Sequence, residues 1–184
     1  SKNHLEIIEG ETDRLTRLIN NVLDFSKIEK GIKNYSFREV NFNKIVKTVI
    51  ERMQYTLKMK GFNLKTQFDE FSDLILGDAD AITEAIENII SNAIRFSIDK
   101  KEILITTYFK ENFACVDVKD NGIGINQADI EKIFDPFFRS EDERSKKIEG
   151  TGLGLPIVKH IMDEHKGQIT ISSTSGLGST FTLR

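Results

Sequence analysis

Residues 82–97 impose the tightest condition on what this chain can fold into. Ile82, Ile86, Ile89 and Ala93 recur at three- and four-residue spacing and mark one face of a helix. Glu84, Asn88, Ser91, Asn92 and Arg95 recur at the same spacing on the other side. The apolar stripe has to be buried against another layer. The polar side is unusual. A solvated face mixes Lys, Glu and Gln, whereas this one sets two asparagines four residues apart, so both amides point the same way. Asparagine is only a middling helix former. On these residues alone, a polar surface face and a functional face both remain open.

The flanking patterns supply the other layers. Residues 5–29 read as one long helix. Leu5, Ile8, Leu15, Ile19 and Val22 form one stripe, and Leu18, Phe25 and Ile28 adjoin it. Together they are wider than a two-stranded coiled-coil seam and call for partner helices, as in a four-helix bundle. Gly31 and the polar run 33–36 end it and mark a boundary, dividing the chain into residues 1–31 and 37–184. Asn41 can cap a helix to about Met59, with Ile45, Val46, Val49, Ile50 and Met53 inward. Short strands are expected at 37–40, 62–68 and 74–76, and Asp78 or Asp80 can cap the asparagine-bearing helix. Two longer strands, 103–109 and 113–119, flank a turn at Glu111–Asn112. Asn126 can cap a short helix through Ile133, and residues 139–149 are too polar to pack and read as a mobile loop. A helix over 153–165 tolerates Pro156 only in its first turn. Strands 168–173 and 179–183 close the chain as a hairpin. This order predicts an α+β fold, a two-layer α/β sandwich with helices on one face of a mixed sheet, preceded by one bundle-type helix.

Totals narrow the function. A chain of 184 residues with 39% apolar and 30% charged content suits a soluble globular protein. A net charge of -3 argues against binding driven by nucleic-acid phosphates. No apolar run reaches the roughly 20 residues a membrane span needs, so no membrane contact is expected. The single cysteine, Cys115, excludes an internal disulfide and reads as a core thiol. A reducing, cytoplasmic setting is expected. Ser1 begins in mid-pattern, as in a piece of a longer protein, whose parent the sequence leaves free to be membrane-anchored.

Four stretches then stand out: Asn88-x-x-x-Asn92, Asp120-Asn121-Gly122-Ile123-Gly124, Phe134-Asp135-Pro136-Phe137-Phe138, and Gly150-Thr151-Gly152-Leu153-Gly154-Leu155. The last is a glycine-rich entry to a helix. Amides there lack intrahelical partners, the helix dipole favours an anion, and glycine lets the backbone approach phosphate oxygens. Plain turns use similar runs. The spacing fits neither a P-loop nor a Rossmann fingerprint. A carboxylate at Asp120, held by a glycine turn, can accept from an exocyclic amine, although an ordinary Asx turn also accounts for it. The asparagines offer neutral oxygen ligands of the kind Mg²⁺ shares with phosphates and water.

In this order and with these gaps the stretches resemble the N, G1, F and G2 boxes of the ATP-binding domain of sensor histidine kinases. That domain belongs to the wider gyrase, chaperone, histidine-kinase and mismatch-repair ATPase superfamily. The resemblance covers residues 37–184. Residues 14–31 are similar to the second helix of the dimerisation and histidine-phosphotransfer bundle. The resemblance implies ATP and Mg²⁺ as cofactors. It implies that Asn92 binds the metal, that Asn88 supports the phosphates or the metal shell, and that Arg95, standing where Lys is common, contacts phosphate. Phe96, where Tyr is common, would pack near the base. Asp120 would take the adenine amine, with Gly122, Ile123 and Gly124 shaping the pocket. Phe134 to Phe138 would border a lid over residues 139–149, with Phe138 beside the nucleotide. Gly150, Thr151, Gly152, Leu153 and Gly154 would cradle the phosphates, and Thr180 would complete the site.

Two departures refine the expectation. ATP-hydrolysing branches carry a Glu four residues before the metal-binding Asn. Here that residue is Asn88, and an amide cannot take a proton from water, so efficient hydrolysis is not expected. Glu87 points elsewhere on the helical wheel. The chain also lacks an HE-L-R-T-P-like acceptor run. His4 reads as a surface residue, and His160 and His165 as solvated or helix-end residues. The expected function is therefore an ATP-dependent protein-histidine kinase's catalytic portion. It would transfer the γ-phosphoryl group to a histidine outside this chain for relay to a response-regulator receiver domain, in a homodimer formed through the helical bundle. The alternative is a nucleotide-binding regulatory module that performs no transfer.

Overall fold

The computed structural model describes residues 2–69, 74–146, 148 and 150–184, with residues 2–11, 13, 14, 17 and 143 described by their backbone alone. Backbone contacts divide the chain into two units, Ser1–Asn34 and Tyr35–Arg184.

The first unit is one helix, α1 (Lys2–Glu29). It ends as its sequence dictates: Gly31 adopts a φ of 64°, and the N–H groups of Gly31 and Ile32 close on Ile28 O and Lys27 O, both at 2.9 Å. Leu15, Leu18, Ile19, Val22 and Leu23 are exposed. Leu5 and Ile8, expected on the same stripe, lie outside the described side chains, as does His4.

The second unit begins with β1 (Arg38–Asn41), α2 (Phe42–Met59), β2 (Asn63–Phe68), β3 (Leu74–Gly77) and α3 (Ala79–Phe96). It continues with β4 (Lys100–Lys110), β5 (Phe113–Asn121), α4 (Glu143–Lys146), α5 (Gly154–Glu164), β6 (Ile169–Thr174) and β7 (Gly178–Leu183). The main sheet runs β2-β4-β5-β7-β6, with β2 parallel to β4 and the other pairs antiparallel, and β1 and β3 form a separate antiparallel pair. Helices α2, α3 and α5 lie along one face of that sheet. The fold is the expected two-layer sandwich.

The core lies between the layers. Val46 and Val49 of α2, Ile86, Ile89 and Ile90 of α3, and Ile157 and Ile161 of α5 are fully buried. They meet Ile103 and Ile105 of β4, Val116 and Val118 of β5, and Phe181 and Leu183 of β7, which alternate along their strands. Each such side chain contributes on the order of 1.5–3 kcal/mol by leaving water. Asn41 caps α2 by accepting from Lys44 N at 2.7 Å, and Asp78 caps α3. Cys115 is a buried free thiol, and its surroundings push its pKa up, burial first and then Asp117. No described helix is long and apolar enough to cross a membrane.

Two local expectations need correction. Asn126 caps no continuous helix. Its side chain accepts from Ala128 N, but the segment breaks into two single 3₁₀ turns, Gln127–Asp129 and Lys132–Phe134. The polar segment after Arg139 is not structureless. It holds the turn α4, where Arg144 grips Asp142 at 3.0 Å and Ser175 Oγ at 2.9 Å. Lys147 and Glu149 of the expected lid lie outside the described residues.

Candidate functional site

Helix α3 assembles the site. Its eight buried apolar residues fix its rotation, and that rotation turns Asn88, Asn92 and Arg95 away from the core. Asn88 Nδ2 donates to Glu84 O at 3.0 Å, which leaves Oδ1 as the outward atom. Oδ1 faces the first residue of α5: a Cβ on Gly154 would stand 3.0 Å from it. Asn92 follows one turn later and is half-buried. Arg95 is exposed and reaches back over the glycine-rich turn, where a Cβ on Gly150 would come within 2.5 Å of Nη1. Glu87 points elsewhere, 3.5 Å from Arg52 on α2.

The glycine-rich turn meets the phenylalanine stretch. Gly152 has a φ of 71°, and a Cβ there would lie 2.7 Å from Phe137 C and 2.8 Å from Phe138 O. Phe137 N donates to Gly152 O at 3.1 Å, and Phe137 itself takes a positive φ of 64°. Thr151 Oγ1 accepts from Leu153 N at 3.2 Å. Leu153, the N-cap residue of α5, makes no side-chain capping bond and its side chain is buried in the core, so only its backbone borders the turn. Pro156 sits in the first turn of α5.

Asp120 lies at the end of β5 and is 4% exposed. Its Oδ1 takes two backbone N–H groups, Gly122 at 2.8 Å and Ser179 at 3.2 Å, which leaves Oδ2 to offer. Burial pushes this carboxyl above the usual aspartate value, against the pull of the Gly122 and Ser179 bonds. Gly122 is required by close approach, since a Cβ would stand 2.5 Å from Phe96 O. Ile123 N donates to that same Phe96 O at 3.1 Å, which ties the turn to the end of α3. Gly124 has a φ of 66°, and a Cβ there would collide with Thr174 O.

Asn88, Arg95, Phe96, Asp120, Gly122, Ile123, Gly150 and Gly154 are thus brought around α3. Phe138 and Gly152 meet behind the glycine-rich turn. Thr180 is placed otherwise. It pairs directly with Lys119 and Ser172, so it shares their face of the sheet, opposite that of Asp120 and Ser179. Ser179 takes the place expected of Thr180. Its alternation with the apolar Phe181 and Leu183 is the sequence signal for it. No sequence pattern singles out Ser173 of β6, which joins Ser179 at 2.9 Å. His160 is half-buried. His165 ends α5, as expected of a helix-end residue, but it is not simply solvated: its Nε2 accepts from Asp78 N.

The described residues hold no cluster of three or more His, Cys, Asp or Glu that could bind a metal. A cation at this site would rest on amide oxygens and on the ligand's own anions. The amide set on α3 beside an uncapped helix N-terminus, with glycines where a Cβ would fill the space, fits that requirement.

Residues 77–184 match the family model for histidine kinase-, DNA gyrase B-, and HSP90-like ATPases. The chain is 35% identical to the sensor histidine kinase WalK of Bacillus subtilis (strain 168), an alignment covering 97% of this chain and 30% of WalK. Among solved structures, the catalytic domain of histidine kinase ThkA is similar at 28% identity and a TM-score of 0.70, covering 80% of this chain and 95% of that one. Full-length ShkA, solved in complex with AMPPNP, shares the fold with a TM-score of 0.78 at 23% identity, covering 93% of this chain and 35% of that one. The chain spans 28% to 42% of the length of the curated relatives it matches.

Proposed function

This chain belongs to the family of histidine kinase-, DNA gyrase B- and HSP90-like ATPases, and we propose that it is the ATP-binding catalytic portion of a sensor histidine kinase. The γ-phosphoryl group of ATP passes to a histidine outside the catalytic unit: the bond from phosphorus to the β-phosphate oxygen breaks, a bond from phosphorus to imidazole nitrogen forms, and ADP leaves. The observation that carries this reading is the convergence on α3 of Asp120 with a free carboxylate oxygen and of Asn88 Oδ1 against the N-terminus of α5.

Asp120 accepts from the base's exocyclic amine. The backbone from Gly150 to Gly154 receives the phosphates, and Arg95 adds a cation there. Asn92, with Asn88 in support, would hold Mg²⁺ beside the phosphates, where the ion would supply charge neutralisation. Asn88 has no basicity to spend on water, so the site positions a phosphoryl group without activating hydrolysis. Residues 139–149 act as the lid. In the parent protein α1 joins a bundle that dimerises the chain, and the phosphohistidine is relayed to a response-regulator receiver domain on the cytoplasmic side.

The test is transfer. The chain is incubated with γ-labelled ATP, Mg²⁺ and a folded helical-hairpin protein carrying the acceptor histidine. Acid-labile, alkali-stable label on that acceptor protein is expected. Tight nucleotide binding with no transfer would favour a regulatory module instead, and steady release of free phosphate would contradict the role given to Asn88.

A further inference from the structure

Behind Asp120 sits a pair of hydroxyls. Ser173 Oγ on β6 accepts the N–H of Ile125 at 2.8 Å. The same oxygen lies 3.0 Å from Gly178 O and 2.9 Å from Ser179 Oγ. Ser179 N in turn donates to Asp120 Oδ1 at 3.2 Å. Ser173 therefore binds together the turn that follows β5 and the first residues of β7, the two segments whose N–H groups hold the Asp120 carboxylate.

The protons on this pair can be counted. A serine hydroxyl carries one proton and two lone pairs. Ile125 occupies one lone pair of Ser173. The single proton of Ser173 goes to Gly178 O or to Ser179 Oγ, not to both. Only one assignment turns all three contacts into hydrogen bonds: Ser173 donates to Gly178 O, and Ser179 donates to the remaining lone pair of Ser173. The reverse assignment leaves two acceptors facing each other at 3.0 Å in a part-buried site, and a polar contact left unmade there carries a cost. The proton of Ser179 is thus committed to Ser173, and Ser179 Oγ has only lone pairs left to offer.

We infer that Ser173 is a specificity-positioning residue: by holding the proton of Ser179 it keeps the Asp120–Ser179 corner acceptor-only, which suits a purine with a 6-amino group and rejects one with a 6-oxo group. This rests on the reading that Asp120 faces a purine base. A 6-amino group brings two donors to that corner, whereas a 6-oxo group sets an oxygen against a carboxylate and a donor-less hydroxyl. Without the Ser173 hydroxyl, Ser179 can rotate and donate to the 6-oxo group, and discrimination falls.

The experiment compares the dissociation constants of ATP and ITP, each with Mg²⁺, for the chain and its variants. The wild type should prefer ATP. Ser173→Ala should narrow that preference by about five-fold, the scale of one hydrogen bond. Ser173→Thr, which keeps the hydroxyl, should retain it. The double variant Ser173→Ala/Ser179→Ala, with no hydroxyl left to donate, should recover most of it. If Ser173→Ala does not fold, Ser173→Cys keeps the volume with a much weaker hydrogen-bonding atom and should narrow the preference likewise. A purely structural tie would weaken ATP and ITP equally; an unchanged ratio in Ser173→Ala or Ser173→Cys would overturn the inference. A wild type that binds neither nucleotide would instead overturn the nucleotide reading on which it stands.

Discussion

The backbone N–H of Asp78, at the start of α3, donates to Nε2 of His165, at the end of α5, across 2.9 Å and 87 positions of sequence. The other ring nitrogen lies 2.7 Å from Ile161 O, so it carries the proton. Further along, Asn88 in the middle of α3 faces Gly154, the first residue of α5. The two helices that frame the site therefore run antiparallel, with the Asp78–His165 bond tying the start of α3 to the end of α5. His165→Ala would leave the Asp78 N–H without its acceptor and should cost about 1–3 kcal/mol in denaturant unfolding. Its effect on nucleotide affinity should be smaller, because the lost bond lies at the far end of α3.

The Asp78 carboxylate adds a pH signature. Burial pushes its pKa up, but the N–H groups of Ser36, Ala81 and Asp80 outweigh burial and hold it below 3.8. A depressed folded-state value contributes stability that is complete above the unfolded value and lost as pH falls through the folded one. Asp78→Asn should be less stable than wild type at pH 6, and the gap should close on acidification below about pH 4. Thermal melts of both proteins across that range measure it.

Asp120 has the opposite sign. Its folded-state pKa is raised, chiefly by burial, so its charge costs stability at neutral pH, and that cost vanishes as pH falls below the unfolded value. Asp120→Asn should melt higher than wild type at pH 7, with the difference shrinking on acidification. Retaining a destabilising charge at one point in a core is the pattern expected of a binding group.

The periodicities make the helices and the sandwich readable in advance, because burial of α3 follows directly from Ile82, Ile86, Ile89 and Ala93; the candidate site residues are legible only through the resemblance that the four stretches carry. Thr180 and Ser179 mark where periodicity stops being enough. Which residues of β7 face the helices depends on its pairing with β5, and a one-residue offset reverses the face. Ser173 is invisible in the sequence for the same reason: its partners Ile125, Gly178 and Ser179 come together only in the folded sheet. The choice between Asp78 and Asp80 as cap is also non-local, since Ser36 and His165 both engage Asp78.

Gly154→Ala separates binding from folding. Gly154 opens α5 with an ordinary φ, and alanine is the better helix former by up to about 1 kcal/mol. Its methyl would nevertheless press on Asn88 Oδ1. The variant should melt at or above the wild-type temperature while losing at least about ten-fold in ATP affinity, roughly one charge-assisted hydrogen bond.

The most direct test of the central claim is calorimetric titration of the chain with Mg-ATP beside Asp120→Ala. The wild type should bind one equivalent. Asp120→Ala should weaken binding by roughly 10- to 100-fold, the worth of a hydrogen bond to a charged group. Equal affinity in the two proteins would contradict the placement of the nucleotide at Asp120.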